Sequence, residues 1–208
     1  MTTFINKLTT NHTFFLREVD HFNYFHDQVL LNLVSHVTER DLRIWSAGCS
    51  TGEEPYILAM IMADYFGFHQ PLWDSQILAT DISQKVLDIA AKGSYSEEQT
   101  TAIPLHWKRC YFKKDAEGKY QVTDLIKDQV IFRRHNLVTP VFPFKKKFHV
   151  IFCKNVMIYF DMPTKQELVN RLYEITEPGG FLFIGLSEFL NRELTSYQYL
   201  QPGIYRKE

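Results

Sequence analysis

The stretch Ile44–Met60, IWSAGCSTGEEPYILAM, joins three patterns without a break. It begins as a short apolar run typical of a buried strand, passes through a turn of small residues, and continues as an apolar helix with proline in its first turn. Two adjacent carboxylates, Glu53 and Glu54, stand where that helix begins, beside its free backbone amides. A turn that binds phosphate would avoid acid at this place. We therefore expect a ligand that carries positive charge.

Strand and helix patterns alternate along the rest of the chain, which predicts an α/β fold with a doubly wound, mostly parallel sheet. The last two strands are expected to close the sheet as an antiparallel edge. A single domain is expected over residues 1–208, with a surface hairpin at 109–123 as a small inserted β-subdomain. The patterns predict helices at 19–37, 53–66, after Ser83, and from Pro163 to 177–180, and strands at 42–47, 76–81, 130–136, 149–155, 181–186 and 204–206.

Composition narrows the class of protein. The 208 residues carry a formal net charge of −1, which gives no general attraction to nucleic acid. The three cysteines, Cys49, Cys110 and Cys153, are far apart and odd in number, which predicts a reduced, cytoplasmic compartment. The apolar stretches are too short to span a bilayer, and the amino terminus lacks the pattern of a signal peptide. The eight histidines lack metal-ligand spacing, so no metal site is expected.

The residues after the first two strands indicate the ligand, because open α/β sheets bind ligands beyond the carboxyl ends of their strands. Gly48 and Gly52 allow close approach of backbone, and Glu53 offers an acceptor for an ammonium group. Asp81 ends the second strand, where an acid commonly binds ribose hydroxyls. Together they describe a nucleoside joined to an amino acid, as in S-adenosylmethionine, whose sulfonium is positive. In the alternative interpretation, the glycines only shape a turn, the acids complement the helix dipole, and Asp81 caps the next helix.

Four separated stretches resemble the chemotaxis-receptor methyltransferases, the CheR family, and they occur in the family's order. They are TTNHTFFLRE at 9–18, WSAGCSTGEEPY at 45–56, ATDIS at 79–83 and IFCKNVMIYFD at 151–161. The resemblance extends from about Thr9 to Arg206. It implies a Rossmann-like class I methyltransferase that moves a methyl group from S-adenosylmethionine to glutamate side chains of receptors and leaves S-adenosylhomocysteine.

The resemblance also implies a role for each matching position. Glu53 would hold the methionine amino group and Asp81 the ribose, with Asn136 and Leu137 on the adenine side. The other implied cofactor contacts are Asn11, Thr13, Arg17, Cys153, Lys154 and Asn155, to which the turn itself adds Gly48.

Two residues are candidates for a direct role in the transfer step. Arg17 would steer the acceptor carboxylate or the donor's own carboxylate, and Tyr159 would lie beside the transferred methyl group. The alternatives are a surface ion pair of Arg17 with Glu18 or Asp20, and simple packing of Tyr159 at the rim of the sheet.

The sequence departs from the family in ways that concern the partner. Only eight residues precede Thr9, where the family usually has a helical domain that contributes to receptor recognition. The hairpin lacks the Gly-x-Gly-Pro loop of members that bind a receptor tether peptide, so no tether is expected. Leu16, Lys154 and Leu186 replace a usual Phe, Arg and His. The expected partners are the cytoplasmic helices of chemotaxis receptors. A methyltransferase for another acceptor and a non-catalytic docking module remain open alternatives.

Overall fold

A computed structural model describes residues 13–67 and 72–208 of the chain. These residues form a large sheet, a small sheet and helices that pack on both faces of the large one. The strands are β1 Ile44–Ala47, β2 Ile77–Asp81, β3 Ser94–Tyr95, β4 Phe112–Lys114, β5 Tyr120–Val122, β6 Val130–Arg134, β7 Phe148–Cys153, β8 Thr176–Ile184, β9 Gln198–Gln201 and β10 Ile204–Arg206.

The large sheet has seven strands in the order β6-β2-β1-β7-β8-β10-β9. Strands β6, β2, β1, β7 and β8 run parallel, β10 is antiparallel to β8, and β9 is antiparallel to β10. From β1 the chain builds outward to β2 and β6, then crosses back to β7. The topological switch point therefore lies between β1 and β7. This arrangement confirms the predicted α/β fold with a mostly parallel sheet and an antiparallel edge.

The helices lie on the two faces of the large sheet, as the side chains of β1 show. Successive strand residues point to opposite faces, so Ile44 belongs to one apolar cluster and Trp45 to the other. The first cluster packs against α1 and α2, and the second against α6. Three consecutive segments, Val19–Tyr24, the π-helical turn Phe25–Leu30 and Leu31–His36, make up α1; the other helices are α2 Glu53–Phe66, α3 Gln84–Lys92, α4 Leu105–Tyr111, α5 Asp124–Lys127 and α6 Met162–Glu174.

Two boundary predictions were wrong. The segment Glu177-Pro178-Gly179-Gly180 was expected to end a helix. Helix α6 stops earlier, at Glu174, and the segment lies inside β8. Arg109 to Tyr111, assigned to the hairpin, form the last turn of α4. The sequence patterns also missed the short strands β3 and β9.

The small sheet lies beside α2. Its order is β3-β5-β4, with both pairs antiparallel, so the hairpin predicted near 109–123 gains a third strand from earlier in the chain. Asp64 of α2 joins that helix to α4, which leads directly into β4 of the small sheet. Its carboxylate accepts hydrogen bonds from Trp107 Nε1, at 2.5 Å, and from the Tyr111 hydroxyl.

His21 of α1 is a buried titratable group in the core. It is 1% exposed, and its Nε2 donates to the Pro202 carbonyl oxygen at 3.1 Å. Burial and the charge of Lys154 lower the pKa of His21, outweighing Glu18 and Asp20. The folded state therefore binds a proton at this site less readily than the unfolded chain does.

We expect the free energy of unfolding to decrease as pH falls below about 6.5, the ordinary histidine pKa, and through the lowered pKa of folded His21. His21→Gln keeps a donor for Pro202 and removes the titration, so its unfolding free energy should vary less between pH 7.5 and 5.5. Urea unfolding at several pH values measures this, with the exposed His106→Gln as the matched control. An identical pH dependence in wild type and His21→Gln would contradict the assignment.

Candidate active site

A cavity of about 660 Å³ opens at the carboxyl ends of the parallel strands, beside the switch point. The segments that follow β1, β2, β6 and β7 form its walls, together with the chain just before α1. Among the residues predicted from the sequence, the ones that line it are Thr13, Arg17, Gly48, Asp81, Asn136, Leu137, Lys154, Asn155 and Tyr159. Asn11 lies outside the described residues.

The turn after β1 has a left-handed backbone that brings it close to its neighbours. Gly48 has φ +91°, and a Cβ there would meet a Val156 methyl at 2.5 Å, so a side chain would push on the loop after β7. Gly52 has φ +95°, but its added Cβ would meet Ala90 of α3 at 2.8 Å, and Gly52 is not among the described residues that line the cavity. The first glycine thus shapes the cavity, whereas the second permits helix packing.

Asp81 ends β2 at the floor of the cavity. One carboxylate oxygen accepts from the Ser50 amide at 3.0 Å and the other from the Ser83 amide at 2.9 Å. Burial raises the pKa of Asp81, while its backbone hydrogen bonds act to lower it. Asp81 therefore holds the start of α3, as the alternative interpretation predicted. It also faces the cavity, where the first interpretation predicted a ribose.

Glu53 is not among the described residues that line the cavity. Its side chain is 1% exposed and accepts from the Thr51 hydroxyl at 2.7 Å, and burial raises its pKa. Glu54 is the neighbouring carboxylate that lines the cavity. Neighbouring residues on a helix point about 100° apart, so the two acids of the motif differ in direction. The role of Glu53 toward the methionine amino group stays a prediction.

Glu54 is held in place by Ser46 and by Lys154. The Ser46 hydroxyl donates to one Glu54 oxygen at 2.8 Å, and Lys154 Nζ lies 3.4 Å from the other. Lys154 Nζ also lies 3.2 Å from a Glu18 carboxylate oxygen and donates to the Arg17 carbonyl oxygen at 3.2 Å. The ammonium thus makes one hydrogen bond to backbone and two ion pairs to carboxylates. As a compact point charge, it can serve two carboxylates that approach from different directions.

Two carboxylates, Glu18 and Glu54, surround this single buried ammonium. Burial acts to raise the pKa of Glu18, but the Leu186 amide and Lys154 outweigh it, so the pKa lies below its ordinary value and the group is ionised at neutral pH. The cavity lining itself carries the carboxylates of Glu54 and Asp81 and the cations of Arg17 and Lys154, so a ligand with both positive and negative groups finds a partner for each.

The loop after β7 carries the residues nearest the cavity mouth. Arg17 Nη2 donates to Asn155 Oδ1 at 2.9 Å, so these two predicted residues lie side by side. Tyr159 lines the cavity and is 48% exposed. Cys153, an implied cofactor contact, is fully buried at the end of β7, in the apolar cluster beneath α6, and is not among the described residues that line the cavity.

The loop after β6 forms the opposite end of the cavity, where Asn136 and Leu137 lie. Arg171 of α6 fixes it from behind by donating to the carbonyl oxygens of Leu137, at 3.1 Å, and Thr139. His135 also lines the cavity, and the sequence analysis did not single it out. Burial lowers the pKa of His135, as does nearby Arg171, so it is neutral at physiological pH.

Residues 13–67 and 72–208 contain no group of three or more His, Cys, Asp or Glu side chains arranged to hold a metal ion. Within the same ranges, no helix has the length and apolar character needed to cross a membrane.

The fold and the site together define a class I, Rossmann-like methyltransferase domain: an open parallel sheet with an antiparallel edge, and a cavity at its switch point that offers the carboxylates of Glu54 and Asp81. A comparison with protein families identifies the particular family. Residues 11–204 match the model described as CheR methyltransferase, SAM binding domain, and the cofactor is therefore S-adenosylmethionine. The chain belongs to the CheR methyltransferase family.

Individual relatives agree with this assignment. The chemotaxis protein methyltransferase of Borreliella burgdorferi is 40% identical over 206 residues, which cover 98% of this chain and 72% of that protein. A probable chemotaxis protein methyltransferase of Rhizobium etli is 39% identical, over 98% of this chain and 80% of its own length. The chemotaxis protein methyltransferase of Escherichia coli is 38% identical, and the match covers 89% of this chain and 63% of that protein.

The two adjacent acids allow a sharp test of the geometry. Glu54→Gln should weaken binding of S-adenosylhomocysteine by roughly 10- to 100-fold, because a hydrogen bond to a charged group contributes about 1.5–3 kcal/mol. Glu53→Gln should change the affinity by less than about threefold, since Glu53 points away from the cavity. Isothermal titration calorimetry measures both, with thermal unfolding as a check that each variant is folded. A larger loss in Glu53→Gln than in Glu54→Gln would reverse the assignment.

Proposed function

We propose that this protein methylates glutamate side chains in the cytoplasmic helices of chemotaxis receptors, with S-adenosylmethionine as the methyl donor. One observation carries the proposal: the cavity that offers the carboxylates of Glu54 and Asp81 to the donor is also lined by Tyr159 and by Arg17, which donates to Asn155. The relatives in Borreliella burgdorferi and Escherichia coli are named chemotaxis protein methyltransferases, which supports a methyltransferase that acts in chemotaxis.

The described residues fit the donor at both ends of the cavity. A carboxylate has about four lone-pair sites, and the Ser50 and Ser83 amides use two of those on Asp81, so two remain for ribose hydroxyls. Glu54 presents its negative charge where the amino group of the methionine part would lie. Asn136 and Leu137 offer a polar and an apolar contact to the adenine. Thr13, Gly48, Lys154 and Asn155 complete the proposed walls of the site.

The methyl-transfer step requires the protein mainly to position the donor and the acceptor. When bound, S-adenosylmethionine supplies a methyl group on a positively charged sulfur. A glutamate side chain, with a reference pKa of about 4.3, is already the nucleophilic carboxylate at neutral pH, so no general base is required. Holding the acceptor oxygen in line and excluding water supplies the rate enhancement, and such alignment contributes roughly 7–11 kcal/mol in favourable systems.

Arg17 and Tyr159 are the proposed positioning groups at the mouth. The Arg17 guanidinium is oriented by Asn155 Oδ1 and carries the positive charge that an approaching carboxylate needs. The Tyr159 hydroxyl lies on the half-exposed side of the cavity, where a protein substrate enters. We infer no tether contact, because the turn of the small sheet lacks the loop found in tether-binding members of the family.

The product distinguishes this function from other methyl transfers. Incubation with methyl-labelled S-adenosylmethionine and the cytoplasmic fragment of a receptor from the same organism should label the fragment. Mild base should then release the label as volatile methanol, because carboxyl methyl esters hydrolyse and N-methyl groups do not. A receptor fragment whose acceptor glutamates are replaced by alanine is the control. Base-stable label, or labelling of other proteins only, would overturn the proposal.

We expect Arg17→Ala to lower kcat for receptor methylation by about tenfold or more, because small losses of alignment have large effects on in-line transfer. Initial rates at saturating receptor and donor measure it. Arg109→Ala, which removes an exposed arginine of α4, is the matched control and should keep the wild-type rate. Equal rates for Arg17→Ala and wild type would remove Arg17 from the proposed mechanism.

A further inference from the structure

Glu188 is a buried carboxylate that neither lines the cavity nor forms an ion pair within the described ranges. It is 6% exposed and lies just beyond β8, in the segment that leads toward β9. A buried charge without a cation must be stabilised by hydrogen bonds, so the partners of this side chain indicate what it does.

Three backbone amides surround the Glu188 carboxylate. One oxygen accepts from the Asn155 amide at 2.8 Å and from the Gly185 amide at 2.7 Å. The other oxygen accepts from the Ile158 amide at 3.2 Å. Two of these amides belong to the loop after β7 and one to the end of β8, so a single side chain joins the two neighbouring strand ends.

The loop held in this way begins with a left-handed residue and lies close to β8. Asn155 has φ +58°, a conformation that asparagine adopts more readily than most other non-glycine residues. Gly185 permits the close approach, since a Cβ there would meet Asn155 Oδ1 at 2.8 Å. The same loop carries Asn155, which orients Arg17, and Tyr159, which lines the cavity. Without the carboxylate, the Asn155 amide at this left-handed turn would lose its hydrogen-bond partner.

We propose that Glu188 is a positioning residue for methyl transfer: it fixes the loop 155–159 and, through it, Arg17 and Tyr159. Glu188 does not itself line the cavity, and it acts through the three amides, two of which belong to the lining residues Asn155 and Ile158. This inference rests on the proposed function for its kinetic effect, but its effect on the loop can be measured without any methyl acceptor.

The variant Glu188→Gln isolates the role of the carboxylate with little change in volume. An amide has one acceptor oxygen and an NH₂ group that only donates. In one orientation the glutamine oxygen accepts from the Asn155 and Gly185 amides, and the NH₂ group faces the Ile158 amide. In the opposite orientation the oxygen accepts from the Ile158 amide, and the NH₂ group faces the amides of Asn155 and Gly185. At least one backbone amide therefore loses its partner in either case. Glu193→Gln, the same change at an exposed position of the same segment, is the control.

We expect Glu188→Gln to lower kcat by about 10- to 100-fold, while the dissociation constant of S-adenosylhomocysteine rises by less than about threefold. The cofactor keeps its contacts with Asp81, Glu54 and the loop after β6, which come from other elements. Glu188→Asp retains an acceptor-only group and should recover part of the lost rate. A purely structural role predicts reduced thermal stability with normal kcat at a temperature where the variant is folded.

Hydrogen–deuterium exchange of the peptide covering residues 155–160 provides the independent readout. Exchange should be faster in Glu188→Gln than in wild type and unchanged in Glu193→Gln. Unaltered exchange, or equal losses in kcat and in S-adenosylhomocysteine affinity, would overturn the positioning role. If wild type methylates no receptor, the proposed function fails, whereas faster exchange in Glu188→Gln would still support the structural part of this inference.

Discussion

The buried ammonium of Lys154 is the interaction on which the site depends. It follows β7 and lies between Glu18, at the entrance to α1, and Glu54, in the first turn of α2. A charge that is only 4% exposed in its side chain must be paired, and loss of one partner from such a cluster is strongly destabilising. The same contacts bring the residues before α1 onto the carboxyl edge of the sheet. One buried cation thus assembles three distant parts of the chain around the cavity.

The charges that line the cavity also bear on the ligand. The carboxylates of Glu54 and Asp81 lie there together with the cations of Arg17 and Lys154. A ligand that carries an amino group, a carboxylate and a sulfonium finds complementary groups in such a mixed lining. Glycine turns of similar outline bind phosphates in other open α/β folds, and the acid at the start of α2 distinguishes this turn from them.

The sequence predicted the parts of the molecule that depend on local pattern. The strand, glycine turn and helix at Ile44–Met60, and the carboxylate at Asp81, follow from periodicity and topology, and the structure brings them together. Side-chain direction was not predictable in the same way. Glu53 and Glu54 carry the same chemical group, and which one faces the cavity depends on how α2 packs against β1 and α3. Cys153 belongs to the matching motif, yet as the last residue of β7 it points into the core.

The wrong boundary at 177–180 has a physical explanation in the sheet. Pro178, Gly179 and Gly180 are typical of a chain break, but β8 accommodates them as an irregularity: Thr176 pairs with Phe148 and Phe181 with Val150. Five steps along one strand thus match two along the other, and the extra residues bulge out. Glu188 was missed for a different reason. Its partners are backbone amides, which leave no signature in the sequence.

Helix α6 connects the two ends of the cavity mechanically. It starts directly after the segment that carries Tyr159, and Arg171, in its last turn, donates to the carbonyl oxygens of the loop after β6. The start of the helix and Arg171 are separated by two to three turns of one continuous helix, which has little freedom to bend between them. A change on the outer surface of α6 that tilts its axis would consequently move the loop after β6 and the segment with Tyr159 together. Residues on that outer surface could therefore alter both sides of the cavity without touching it.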